Sequence, residues 1–490
     1  MVNDGLELTI GRGIRSRRLF IVAALAFSLI ALVVSISLIS IKVAVLVMVA
    51  WTVLIWICIY CVRRRFDWIV LTWLVVFPFC YYLFSFPRER AVFTVDRAFL
   101  LLVLLTLVST PRDHRLLPLG ANIRFAGYFW AAYLSVCLIS LLGHPVLDIL
   151  SSYRLIIDGM LMPALLGLYA VKFFPIVHNL SKVHACVCIL MISIAIVAGT
   201  ELLSGTNLFP APGAVETWVQ TSNAKLIRVD GPFENSSVLC VVGTLGFLLI
   251  VYTRRLLGGS LTGSQRWLHS AGVLAALGSA LMPLNRGLVI ALLVCACIDY
   301  FATDPLVSRR IWNCILVALL LFTVIGKLFY PGVYENRVTS HANFYQRIAQ
   351  NLQTLEVIRD HPLIGVGFGL YHDAVLEDSR YEVRWGGFEA MNAPHNSLSA
   401  VLAEEGGVGF VLYVAAQLFF VRSMYELRKV NRVGWRAFLY CILVYTIFGF
   451  DVDIGYYSDL NLFYMFVLGI ILQIQLRMLP REPSNVFCYR

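Results

Sequence analysis

Runs of about 17 to 25 apolar residues, the length at which a helix crosses a bilayer, recur along this chain with polar residues gathered between them. The runs do not alternate apolar with polar positions, as the strands of a membrane barrel would. Helices satisfy their own backbone polar groups in lipid. The pattern predicts spans near 19–39, 43–62, 67–86, 92–110, 124–142, 154–173, 183–203, 237–253, 268–284, 287–302, 311–330, 407–423, 437–450 and 460–476. The expected fold class is an all-α polytopic membrane protein with about 12–14 transmembrane helices and one large, partly helical outer loop. The first run follows arginines, as a signal peptide would, but it is about twenty residues long and lacks a small-x-small cleavage site, so it reads as a retained span.

Composition agrees. Of 490 residues, 59% are hydrophobic and 14% charged, with mean hydropathy +0.80. A soluble domain with these values would lack polar residues to cover its surface. The net charge of +10 follows topology: with the N-terminus inside, 25 of the 39 Lys and Arg fall on the inner side and 14 on the outer, whereas Asp and Glu divide 8 and 21. Basic bias on one side sets orientation. No single exposed basic domain exists, so nucleic acid is not an expected partner. Of the twelve cysteines, Cys58 and Cys61 form a CxxC inside an expected span and read as packing residues. No outer loop holds a cysteine pair, so no disulfide framework is evident.

Four regions follow: N-terminal helices 1–203; central helices 204–330, opening with the outer loop 204–236; a large outer loop 331–406 of 76 residues; and C-terminal helices with an inner tail, 407–490. Loops this long are functional or disordered, and the second is rich in aromatic and aliphatic residues. Its segment "NFYQRIAQNLQTLEVIRDHPLIGVGFG" reads as a helix with Ile348, Leu352, Leu355 and Ile358 in one apolar stripe and Arg347, Asn351 and Thr354 on a different face. Asp360 and Pro362 end it. Gly365, Gly367 and Gly369 are expected to loosen the chain; they do not match G-x-G-x-x-G, and no strand precedes them.

The loop closes on "NAPHNSLSAVLAEEGG". Asn392 or Ala393 is expected to cap a helix with Pro394 in its first turn, running to Glu405 and stopped by Gly406 and Gly407. His395 and Asn396 then fall in the first turn, where N–H groups are unpaired and the dipole is positive, which favours an anion. Three arginines lie outside against the topological bias: Arg228 in "RVDGPFENSS", Arg286 in "MPLNRGLVI", and Arg347. A cation at membrane depth marks function by default, and guanidinium forks match phosphate. The plainer reading is an interfacial snorkeler or an ion pair. His341, His361 and His372 share the loop with His395, but no H-x-x-x-H or H-E-x-x-H spacing points to a metal, and none is expected. Glu404 and Glu405 read as solvated, and Asp451, Asp453 and Asp459 crowd one short outer loop.

"RDHPLIGVGFG" followed by "NAPHNSLSAVLAEEGGVGF" resembles the signature of the O-antigen ligase and polymerase superfamily. "RVDGPFENSS" is similar to the family's R-x-x-G-x-F-x-N segment. "LNRG" is similar to its Ser-Arg-Gly turn, with Asn285 in place of serine. The resemblance implies a multi-pass protein of the bacterial inner membrane, both termini cytoplasmic, with a periplasmic site. It implies transfer of a glycan from an undecaprenyl-diphosphate-linked donor to a glycan or lipid A–core acceptor hydroxyl, with inversion and without metal or other cofactor. By matching motif, Arg228 and Arg286, and less directly Arg347, would bind the diphosphate. His395 would orient or deprotonate the acceptor or hold the diphosphate, and Asn396 and Asp230 would support them. Repeat-unit polymerisation is favoured over ligation, with membrane lipid and a chain-length regulator protein as further partners. The rival from another class is a transporter or flippase of lipid-linked sugars, which would show Gly/Pro-broken spans in matching halves.

Overall fold

A computed structural model describes residues 66–83, 85–86, 93–109, 120–142, 150–210, 218–220, 225–227, 229–233, 235–258, 262–283, 285–329, 342–390, 393–450 and 457–478. The expected spans 19–39 and 43–62 lie outside the described residues. Every later expected span coincides with a helix. These are α1 (Phe66–Leu83), α2 (Val95–Ser109), α3 (Ala121–Ser140), α4 (Ser151–Lys172), α5 (Ile176–Ser204), α6 (Ser236–Leu257), α7 (Gly263–Leu281), α8 (Arg286–Tyr300) and α9 (Arg309–Phe329). The long loop holds α10 (Ala342–Asp360), α11 (Tyr371–Glu377) and α12 (Ser397–Glu404). After it come α13 (Gly406–Leu427), α14 (Arg432–Gly449) and α15 (Ser458–Met478). Among the described residues, 7 helices are long and apolar enough to cross a membrane: α1, α3, α4, α5, α6, α13 and α15. Among the described residues, strands are confined to three short antiparallel pairs, of which Arg384–Trp385 with Phe388–Glu389 sits in the long loop. The protein is an all-α polytopic membrane protein.

Helix α6 is the hub. Its most apolar stretch is 100% buried and that of α15 is 89% buried, against 22% for α3 and α13. Around α6 pack α5, α7, α14 and α15; α15 also packs on α4. Lipid tails are as apolar as leucine, so spans associate through close packing at small residues. A Cβ at Gly243 of α6 would lie 2.8 Å from the Ala280 amide nitrogen and 2.9 Å from the Ala276 carbonyl of α7. A Cβ at Gly469 of α15 would lie 2.8 Å from Ala170 Cβ and 2.9 Å from the Gly167 carbonyl of α4.

A buried carboxylate fixes the end of the bundle away from the long loop. Asp299, at the end of α8, accepts from the Leu306 and Val307 amides (2.7 and 2.8 Å), Trp312 Nε1 (2.9 Å) and Tyr440 OH (2.8 Å). Charge in a dry site is tolerated when every lone pair is matched, and here the four donors come from the α8–α9 turn, α9 and α14.

The Gly243 contact is against backbone, which cannot swing aside. Gly243→Ala is expected to push α6 from α7 and cost about 1–3 kcal/mol, read as a lower unfolding temperature of the detergent-solubilised protein. An unchanged temperature would show that the two helices separate without cost.

Candidate functional site

The end of the bundle that carries the candidate site is built from helix heads closed by asparagines. Asn235 caps α6, its Oδ1 accepting from the Ser237 amide at 2.7 Å, and its Nδ2 donates to Tyr457 OH at 2.9 Å, just ahead of α15. Asn285 caps α8, accepting from the Gly287 amide at 2.8 Å, and its Nδ2 donates to Ser237 Oγ at 3.0 Å. The Asn285–Ser237 bond ties the two helix heads together, so the segments "RVDGPFENSS" and "LNRG", far apart in sequence, meet. Arg286 follows as the first residue of α8, exposed at the start of the helix. Arg228 lies outside the described residues. Val229 and Phe233 just beyond it are buried, and Gly231, at φ 62°, turns the chain back. The Gly231 amide donates to Glu201 Oε2 at 2.8 Å, and Glu201 Oε1 takes the Leu208 amide at 3.0 Å. Asp230 sits beside Glu201. Glu201, 1% exposed at the end of α5, therefore fixes the turn that leads into α6.

In the long loop three expectations change. Gly365, Gly367 and Gly369 do not loosen the chain. They let it run in backbone contact with the junction of α12 and α13: the Val366 amide bonds the Ala403 carbonyl (3.0 Å), the Gly367 amide the Glu404 carbonyl (2.8 Å), and the Gly407 amide the Pro362 carbonyl (2.8 Å). A Cβ on Gly365 (φ 74°) would fall 2.3 Å from the Glu404 carbonyl carbon, and one on Gly406 (φ 67°) 2.3 Å from that of Leu363. No other residue combines the left-handed conformation with this approach. Glu404 and Glu405 are not solvated but 3% and 1% exposed, and Glu404 Oε2 accepts the Gly369 amide at 2.9 Å. On α10 the buried face is largely polar, with Gln350, Gln353 and Thr354 each 1% exposed beside the fully buried Ala349 and Val357. Gln353 Nε2 bonds the Tyr381 carbonyl at 2.8 Å, and Thr354 Oγ1 meets Tyr371 OH at 3.1 Å. Leu355 of the expected apolar stripe is 58% exposed. These polar contacts select the inward face of α10. Its end at Asp360 is as expected.

The helix that follows "NAPH" also starts later than its sequence suggests. Its cap is Asn396, whose Oδ1 accepts from the Leu398 and Ser399 amides at 2.9 and 3.4 Å. His395 precedes the cap, half-buried behind the buried Pro394, rather than occupying the first turn. Asparagine closes its own backbone donors more readily from the cap than from inside a helix. His395 thus stands at the mouth of α12 instead of on its flank. Arg347, exposed on α10, lies near enough for its charge to act on the imidazole. Burial first, and then that guanidinium, hold His395 below the ordinary histidine range. The ring is neutral at neutral pH, the state that accepts a proton.

Two clefts open at this end, one on each side of α4, whose segment Ile156–Leu161 is π-helical. One is lined by Ser397, Ala400 and Glu404 of α12, with Tyr413, Tyr445, Asn461 and Tyr464. Asn461 bridges its floor, donating to the Gly159 carbonyl at 3.1 Å and accepting from Tyr445 OH at 2.6 Å. The other is lined by Pro232 and Phe233 of the α6 turn, Tyr81, Tyr82, Tyr457 and Asp459, with Arg97, Arg154 and Asp158. Arg97 grips Asp158 in two-pronged fashion, Nε to Oδ1 at 2.9 Å with Nη2 on Oδ2, and Arg154 Nε lies 3.5 Å from the same carboxylate. These three were passed over in the sequence because they sit inside expected spans. That position was itself the signal, since charge inside a span is costly. The structure thus ties Arg286 to the α6 head and Arg347 to His395, and puts the two groups on different helices at one end of the bundle.

Fold and site together define a multi-pass helical membrane protein whose capped helix heads and long loop meet at one end. Residues 234–414 match the family model described as O-antigen ligase, so the segment from the head of α6 to the first turns of α13 carries the domain of the O-antigen ligase and polymerase superfamily. It holds Arg286, Arg347, His395 and Asn396, and begins just past Arg228 and Asp230. The match supports a membrane glycosyltransferase of the O-antigen ligase or polymerase type. No curated protein matches the chain.

Glu201 accepts two amide protons with two oxygens, and a glutamine there would point an amide N–H at one of them. Glu201→Gln is expected to cost about 1–3 kcal/mol, measured by thermal unfolding. Wild-type stability would show that the turn before α6 is held by other contacts.

Proposed function

We propose that the protein transfers a glycan from undecaprenyl diphosphate to an acceptor hydroxyl on the periplasmic face of the inner membrane, both termini lying in the cytoplasm, and that its main product is a polymer of repeat units. The observation that carries this reading is the neutral His395 under the charge of Arg347, at the same end of the bundle as Arg286. Glycosyl transfer from a diphosphate needs two things: negative charge taken up on the leaving group, and a proton taken from the attacking hydroxyl. Guanidinium at a helix head serves the first. An uncharged imidazole serves the second. The acceptor oxygen attacks the anomeric carbon from the face opposite the diphosphate, the C–O bond to phosphate breaks with its electron pair, and the configuration inverts. Arg228 and Asp230 belong to the diphosphate subsite, Asp230 lying on the turn anchored by Glu201, and Asn396 orients the segment that carries His395.

Ligation to lipid A–core is the second reading, since the family model is described as a ligase. The acceptor distinguishes the two: purified protein given lipid-linked repeat units alone makes longer chains if it polymerises, and makes product only with lipid A–core if it ligates. A transporter of lipid-linked sugars forms neither. In this assay Arg286→Ala and His395→Ala are each expected to lose about 10²-fold or more in rate while leaving the fold intact. Rates near wild type would remove these residues from the chemistry.

The pH profile separates the two roles open to His395. As a base it works neutral, so the rate falls as pH drops through its lowered pKa. Arg347→Gln removes a cation that opposes protonation, raises that pKa, and moves the acid limb to higher pH. Were His395 a cationic ligand of the diphosphate, the rate would instead fall as pH rises through that pKa.

A further inference from the structure

We infer that the turn between α13 and α14, at the end of the bundle opposite His395, is a binding site for the phosphate headgroup of an anionic membrane phospholipid. The inference is independent of the glycosyl-transfer reading. A pocket there encloses about 900 Å³ of empty space continuous with solvent, and its lining is Arg428, Lys429, Arg432, Trp435 and Arg436. Four cations face one cavity, and no carboxylate lines it among the described residues. Two other arginines of this end have carboxylate partners: Arg255 pairs with Asp304, and Arg422 lies 3.6 Å from Glu426. The cluster of four is therefore more than the positive bias of one membrane side.

Three features suit the pocket to a lipid headgroup. Arg432, Trp435 and Arg436 lie at i, i+3 and i+4, hence on one face of α14. Arg436 Nη1 is buried and has no hydrogen-bond partner among the described residues. A guanidinium nitrogen withdrawn from water without an acceptor is costly, and a phosphate oxygen would supply one. Aromatic rings set the depth: Trp435 meets Tyr425 edge-on at 5.5 Å, and Arg428 lies over the Tyr425 ring at 3.7 Å. Such rings lie at the headgroup level of a bilayer. Basic pockets between spans at that level hold anionic headgroups, and guanidinium forks match phosphate oxygens. Asn431 caps α14, accepting from the Val433 and Gly434 amides at 3.0 and 3.1 Å, and its Nδ2 meets Met478 Sδ at 3.2 Å. The start of α14 is thereby fixed to the end of α15, and headgroup binding would brace that buried helix.

The test uses the full chain, purified in detergent and titrated with phosphatidylglycerol, phosphatidylcholine or inorganic phosphate, with bound lipid read by native mass spectrometry and stability by thermal unfolding. Phosphatidylglycerol is expected to bind and raise the unfolding temperature, and phosphatidylcholine and inorganic phosphate to do neither. Arg432→Gln with Arg436→Gln should weaken phosphatidylglycerol binding by about 10-fold or more, while Arg422→Gln, which removes equal charge per site from a paired arginine, leaves it unchanged. Lys429→Gln, on an exposed side chain, should weaken binding in the same direction and covers the case in which the double variant does not fold. Equal binding of phosphatidylcholine, equal loss in Arg422→Gln, undiminished binding in the pocket variants, or matching occupancy by inorganic phosphate would each overturn the inference.

Discussion

A span that ends in or near lipid leaves backbone N–H groups with no water to take them, and this protein meets that constraint with asparagine. Asn235, Asn285, Asn396 and Asn431 each close the head of a helix with the side-chain oxygen. At the functional end the same residues do a second thing. The amide nitrogens of Asn235 and Asn285 reach across to Tyr457 and Ser237, so capping one helix also fastens it to the next. An alanine would lose the cap, worth about 1 kcal/mol, and the tie as well. The asparagine in "LNRG" is thus a fastening residue that holds the start of α8, with Arg286, against the α6 head.

The long loop is held by a different device with the same logic. The turn-rich run 362–369 lies against the break between α12 and α13, and their backbone groups satisfy one another. Glycines at Gly365 and Gly406 allow the approach because any Cβ would strike the opposite backbone. The break exists because α12 must stop and turn before α13 enters the bundle, and the buried Glu404 holds the turn by taking the Gly369 amide. Rigidity at this point places His395: it stands one residue ahead of a capped helix whose far end is locked to the loop.

Hydropathy made the bundle legible, because a 20-residue apolar run in lipid has few alternatives. Arg286 and Arg347 stood out from topology, since each was an expense against the charge bias, and His395 stood out by its place beside a helix start. Three other things were not. Helix starts near "NAPHNS" depend on which of two asparagines caps, which local sequence leaves open, and Asn396 wins by accepting two amides. The inward face of α10 is chosen by Gln353 and Thr354 meeting Tyr381 and Tyr371, partners 28 and 17 residues away that periodicity does not see. Arg97, Arg154 and Asp158 compensate one another in space, so a hydropathy window absorbs them into spans.

The central claim is that groups from two separate helix heads serve one lipid diphosphate. A structure of the protein in a lipid nanodisc with undecaprenyl diphosphate bound tests it most directly. The account expects the diphosphate at the end that carries the α6, α8 and α12 heads, in contact with the Arg286 guanidinium and open to His395 on its glycan side. Diphosphate density at the opposite end, or Arg286 and His395 facing chambers closed off from each other, would contradict it.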